Sequence, residues 1–186
     1  MHGAVCCFVR GKRNTDNGAF IKVREDDDVS VVMNDVTYVD QADDGFVVHC
    51  VGENAKITVN GGEFTAQNGF VAAGDLSVKG ATINVDGNAF EVMGDAIIDN
   101  VTINRTGTAA TNPPAPYSFV AVSNGAYAKV TNSTFVGNVE AVYAVYSTGG
   151  TIDASNNEEP AGQVVAKAWG TAAAKITVDG DVLVNQ

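Results

Sequence analysis

At 186 residues and 19.2 kDa, the chain is sized for one domain, and its 45% hydrophobic content, with only 18% charged residues, argues against a disordered or coiled-coil chain. Against 22 Asp and Glu it sets 11 Lys and Arg, a net charge of −11 with pI near 4.3. Such a surface repels phosphate backbones and anionic headgroups, which argues against nucleic acid and membranes as partners.

The charged fraction is only 18% and there are 20 Gly, the composition of an all-β chain with many turns. Cys6, Cys7 and Cys50 are odd in number and two are adjacent, a poor spacing for a disulfide framework or a zinc site, so free thiols are expected. The apolar start, Ala4 to Val9, is too short for a secretory signal core, and Gly, Asn or Asp interrupts every later apolar run. The expectation is a chain made in the cytoplasm, with no transmembrane segment.

Residues 1–27 differ from the rest. They carry Arg10, Lys12, Arg13, Lys22 and Arg24 and then the acidic run Glu25 to Asp28. Two readings stand: a cap over the first unit of a stacked array, or a docking arm toward a larger assembly. From Val29 the apolar–polar alternation of β-strands begins, in VSVVMNDVTYVD and then GFVVHCVG, with Phe46, Val48 and Cys50 on one face.

The stretch from Ala55 to Gly94 says nearly the same thing twice. AKITVNGGEFTAQNGFVAAG is followed by DLSVKGATINVDGNAFEVMG, so that Ile57 aligns with Leu76, Val59 with Val78, Phe64 with Ile83 and Phe70 with Phe90. A unit of roughly twenty residues, read as one strand pair plus turns, is the scale of a solenoid rung. DAIIDNVTINRTG repeats the pattern, interrupted by an insertion from Thr108 to Ser118 that holds Pro113, Pro114 and Pro116. AYAKVTNSTFVG and AVYAVYSTGG continue it, Gly150 to Gly170 is a poorer copy, and AKITVDG at 174–180 returns to AKITVNG at 55–61 with one substitution.

Stacked rungs put equivalent residues above one another at about 4.8 Å, which makes ladders. Phe46, Phe70, Phe90 and Phe119 are read as one such ladder, while Asn100 and Asn132 share a turn position where Asn and Gly accept positive φ at little cost. Over residues 28–186 the rung length, the apolar ladders, the Asn or Gly turns and the motifs DNVTIN and TNSTF resemble the right-handed parallel β-helix superfamily that includes the pectate lyases. The resemblance implies an all-β solenoid of about seven short rungs behind an N-terminal arm or cap; a β-sandwich is the alternative architecture. It implies no single activity, because that fold serves polysaccharide lyases and hydrolases, phage tailspikes, adhesins and virion surface proteins.

Candidate chemistry is sparse in the sequence. Asp75 and Asp95 share a column, but each follows a Gly at a unit boundary, where Asp is an ordinary turn residue. Asp26 to Asp28 lack the spaced oxygen ligands of a calcium loop, and His49 stands alone. No catalytic, cofactor or metal residue is assigned. Tyr117, Tyr143 and Tyr146 are candidates for an aromatic interaction patch, and Arg10, Lys12 and Arg13 for docking. The expected function is that of a structural or interaction protein, a bacteriophage virion component such as a capsid decoration protein, head fibre or short spike. Its expected partners are capsid or tail proteins, further copies of itself, with a trimer in view, and surface glycans. A polysaccharide-binding or polysaccharide-degrading protein is the alternative.

Overall fold

A computed structural model describes residues 3–7, 10–13, 18–25, 27–40, 45–107, 117–170 and 173–186. Val, Ile, Thr and Phe recur with period two through these stretches, and they fold as strands; among the described residues there is no helix. Each turn of the chain lays down three strands. The first turn is β1 (Gly3–Cys7), β2 (Arg10–Arg13) and β3 (Ala19–Val23); the second is β4 (Ser30–Asn34), β5 (Thr37–Asp40) and β6 (Phe46–Cys50). The third is β7 (Lys56–Asn60), β8 (Glu63–Ala66) and β9 (Asn68–Ala72), and the fourth β10 (Asp75–Lys79), β11 (Thr82–Val85) and β12 (Phe90–Val92). The fifth comprises β13 (Ala96–Asp99), β14 (Thr102–Arg105) and β15 (Ser118–Val122), and the sixth β16 (Tyr127–Thr131), β17 (Thr134–Val136) and β18 (Ala141–Tyr146). The stack ends with β19 (Gly150–Ser155), β20 (Ala166–Trp169), β21 (Ala174–Val178) and β22 (Asp181–Asn185).

These strands assemble into sheets of nine, six and seven strands, called A, B and C below, each taking one strand per turn. Among the described strands every pairing is parallel except that of β21 with β22. The result is a parallel β-solenoid, and the parallel ladders exclude the β-sandwich. The six-stranded sheet gives six complete turns. A seventh has β19 and β20 but only a single bridge, Thr134 to Glu158, on the face of sheet B.

The corner between sheets A and B explains the turn chemistry of the sequence. In every turn from the second onward the residue after the sheet A strand is left-handed: Asp35, Gly61, Gly80, Asn100, Asn132, Asn156 and Asp179, with φ between 49° and 71°. Asn, Asp and Gly visit that region at the lowest cost, so this one column forbids β-branched residues and fixes the corner. At the corner between sheets C and A, Gly74 and Gly94 are required for a different reason: a Cβ there would lie 2.3 and 2.4 Å from the carbonyl oxygens of Ala55 and Ala73.

Inside the coil the alignments read from sequence become hydrogen-bonded registers. Ile57 pairs with Leu76, Val59 with Val78, Phe64 with Ile83 and Phe70 with Phe90. Sheet B contributes the buried column Tyr38, Phe64, Ile83, Ile103 and Phe135. Burying each large side chain contributes about 1.5–3 kcal/mol, so the ladders supply the stability of the stack. Outside, short polar ladders run along it: Asn60 donates to Asn34 at 2.9 Å, Asn104 to Asn84 at 2.9 Å, and Asn84 to Thr65 at 3.3 Å.

Three expectations need correction. A unit holds three strands rather than a pair, because a strand of sheet B has only three or four residues and follows sheet A after a two-residue corner. The four-member phenylalanine ladder reduces to Phe70 over Phe90, stacked at 5.3 Å and 16°. Phe46 pairs with Asn68, two positions ahead of the ladder, and Phe119 precedes Val120, the actual partner of Phe90. The N-terminal stretch read as an arm or cap supplies strands to the stack itself: β1, β2 and β3 pair in parallel with β4, β5 and β6, ahead of position 28. Residues 108–116 of the Pro-rich insertion lie outside the described residues; the insertion leaves the corner between sheets B and C.

Candidate interaction surfaces

Strand parity separates the three tyrosines. In β18 the sequence AVYAVY sets Tyr143 in the inward column with Val120 and Tyr146 three residues on, which in a period-two strand is the opposite face. Tyr143 is fully buried; its ring meets Phe135 edge-on at 5.7 Å and its hydroxyl donates to Glu159 at 3.0 Å. Burial first, and then the Glu159 carboxylate, push its phenol well above the usual tyrosine range. Tyr143 is thus part of the core and presents nothing to a partner.

Tyr117 is half-buried at the point where the insertion rejoins the stack, and the Arg105 guanidinium lies 4.5 Å from its ring centre. Arg105 stands in register with Val85, an inward position, and is itself buried. Its Nε donates to the Gly87 carbonyl at 3.2 Å, and its Nη1 donates to the carbonyls of Gly107, at 3.0 Å, and Asn138. Those three carbonyls belong to three successive turns, so one side chain ties the corner together on both sides of the insertion. Desolvation lowers its pKa, against the pull of Tyr117 and Asp86.

Tyr146 is the candidate that reaches the surface. It stacks on Trp169 of the next turn with ring centres 5.1 Å apart and planes 12° from parallel. Lys167 covers Trp169, its Nζ 4.8 Å from the ring centre and 3.9 Å from the Glu140 carboxylate. Burial, and then Glu91 and Glu140, push the Tyr146 phenol up to about 12, so the ring stays neutral at any ordinary pH. Beside it on the outer face of sheet C is a groove of about 240 Å³ bordered by Asn88, Glu91, Met93, Ser123, Tyr146 and Ser147. Sequence reading passed over Trp169, Glu91 and Arg105. The signal available for Trp169 was the alignment of YAVY with AKAW.

A second groove, of about 410 Å³, runs over the outer face of sheet A, with Thr58, Ser77, Ile97 and Tyr127 along it. Asp75 and Asp95 do follow one another there, but Lys56 pairs with Asp75 at 3.5 Å on an exposed surface, where such a pair contributes little. His49 leans on Phe46 at 5.3 Å. Among the described residues no group of three His, Cys, Asp or Glu side chains is placed to hold a metal ion.

Compared with known proteins, the chain matches no family model, no curated protein and no solved structure.

The basic candidates Arg10, Lys12 and Arg13 are on β2, the last strand of sheet B at the N-terminal end. Register places Arg10 and Lys12 in the columns of Thr37 and Val39, and Arg13 in that of the buried Asp40. At the opposite end β22 folds back antiparallel on β21, with a bulge opposite Ile176 and Thr177. A short bulged strand is a poor template for further pairing. No helix among the described residues is long and apolar enough to cross a membrane.

Proposed function

We propose that this chain is a structural, interaction-type protein that docks to a larger assembly through the N-terminal end of its solenoid, in the manner of a bacteriophage capsid decoration protein, head fibre or short spike. The observation that supports this reading is the inequality of the two ends. At one, β1, β2 and β3 are the outermost strands of all three sheets, and their outer edges pair with no other described strand. At the other, the edge of sheet A is covered by the bulged, antiparallel β22, and sheets B and C end on β17 and β20. Open edges of parallel sheets are templates for strand addition by another chain, and here they coincide with Arg10, Lys12 and Arg13 in a chain of net charge −11. A capsid or tail protein with an acidic edge fits that end, and self-association into a trimer is the homo-oligomeric form of the same pairing.

The test is particle incorporation. Arg10 and Lys12 are reversed to Glu together, while Arg13, in register with a buried aspartate, is left alone to protect the fold. Purified particles should contain the wild-type chain and lose the variant to the soluble fraction, with far-ultraviolet circular dichroism unchanged. Absence of the wild-type chain from particles refutes the virion reading, and equal incorporation of both refutes the N-terminal end as the docking surface.

A further inference from the structure

Sheet C carries two neighbouring outward columns. One runs Glu91, Ala121, Ala144, Lys167; the other, two positions further along each strand or just beyond its end, runs Met93, Ser123, Tyr146 and Trp169. In the second column the rings of Tyr146 and Trp169 stack along the axis of the solenoid. The next step of that column is Ser123, too small to continue the stack, and Met93 closes the far side. The groove beside Tyr146 is therefore a vacant rung of an aromatic ladder, open on the face of Tyr146 that Trp169 does not cover.

The chain shows what such a place accepts. Over Trp169 it puts its own Lys167, held between the indole and the Glu140 carboxylate. One aromatic, one carboxylate and one ammonium make a compact set, because the ring quadrupole and the anion attract the same cation from two sides. At the Ser123 rung the aromatic and the carboxylate are both present. Tyr146 and Glu91 border the groove, and Asn88 donates to Glu91 Oε1 at 2.6 Å, which holds the carboxylate in place. Among the described residues Glu91 has no ion pair. Lys167 cannot supply one, since it stands three strands along the same column, about 14 Å away at about 4.8 Å per strand.

We propose that this groove binds an alkylammonium group, with the cation between Tyr146 and Glu91 and its methylenes against Met93 and Ala121. The hydroxyls of Ser123 and Ser147 accept from an ammonium, which has three protons to donate. The shared chemistry has two sources, a free aliphatic amine or the lysine side chain of a protein.

Trp169 is the only tryptophan of the chain and stacks on the wall of the groove, so its emission reports occupancy. The full chain is titrated with butylammonium chloride, with a peptide of one lysine between glycines, and with sodium chloride at equal ionic strength. Both amines should change the emission saturably and sodium chloride should not; a tighter peptide identifies a protein as the source, and equal affinity a free amine. Glu91→Gln, which keeps an oxygen for Asn88, should weaken binding at least tenfold, and Ser123→Phe, which fills the rung, should abolish it. An amide-resolved NMR titration of the unaltered chain, with shifts centred on Glu91, Ser123 and Tyr146, gives the same answer without any variant. No saturable response, an equal response in Glu91→Gln, or equal competition by butanol or a neutral oligosaccharide overturns the proposal.

Discussion

Replacing Arg105 with Ala tests whether one buried guanidinium holds three turns of the solenoid together. The loss has two parts. Hydrogen bonds to a charged donor contribute about 1.5–3 kcal/mol each, and a buried carbonyl left without a donor costs about 1–3 kcal/mol. Of the three carbonyls only that of Gly87 belongs to a buried residue; those of Gly107 and Asn138 lie nearer solvent and recover water. The cation over Tyr117 adds about 1–2 kcal/mol at a desolvated site. Against these gains stands the desolvation of the guanidinium, several kcal/mol by itself, which is also what lowers its pKa. The balance is a net loss of about 2–4 kcal/mol for Arg105→Ala. For a chain of this length that is about 5–15 °C in Tm. Arg105→Lys keeps the charge but a single ammonium cannot span acceptors on three turns, so it should lose about 1–2 kcal/mol. Urea and thermal unfolding followed by far-ultraviolet circular dichroism measure both, and hydrogen exchange locates the loss, which should concentrate in turns four to six because a solenoid couples only neighbours. An Arg105→Ala variant within about 0.5 kcal/mol of wild type would refute the reasoning.

Phe90→Ala empties a fully buried position stacked on Phe70 and should cost about 3–5 kcal/mol, read as a lower urea midpoint at unchanged slope; an unchanged midpoint would mean the ladder is not what stabilises the coil. Asp99 accepts from Thr131 at 2.7 Å and Asn132 at 2.8 Å, and these bonds hold its carboxyl below the usual value of 3.8. Its contribution is therefore complete above the unfolded value and is lost as pH falls through the folded one. Asp99→Asn should flatten the acid limb of the stability curve slightly, by an amount kept small by its exposure, and leave neutral pH nearly unchanged. At the alkaline end the sign reverses. Tyr143 and Tyr146 titrate above 10 in the fold, so the stability they add is complete below 10 and declines as pH rises past it; Tyr143→Phe should reduce that decline, as urea midpoints between pH 8 and 11 would show.

The fold was legible because its constraints are local and repeated. The left-handed corner favours Asn, Asp or Gly, and it recurs in each turn from the second onward, so DNVTIN and TNSTF announce it directly. The apolar alternation of KITVN and DLSVK survives as the register of β7 with β10. Sheet B was hidden by brevity: TIN and EFT are too short to show a period, and the corner before them is only two residues long, so two strands read as one. The phenylalanine ladder failed where strands begin at different points relative to the corner, and nothing in GFVV or SFVA states that offset. The site was legible to a lesser degree. The spacing of Tyr143 and Tyr146 by three already sends them to opposite faces, and TINR beside TINV already puts Arg105 inward. Both conclusions run against composition, which makes tyrosine look like surface and arginine look like solvent. The vacancy at Ser123 is another matter, for it is a property of a column and not of any residue. A serine after a β-strand carries no signal, and it acquires meaning only when the register sets Tyr146 and Trp169 above it and Met93 below, leaving one ring's face and one carboxylate directed at the same space.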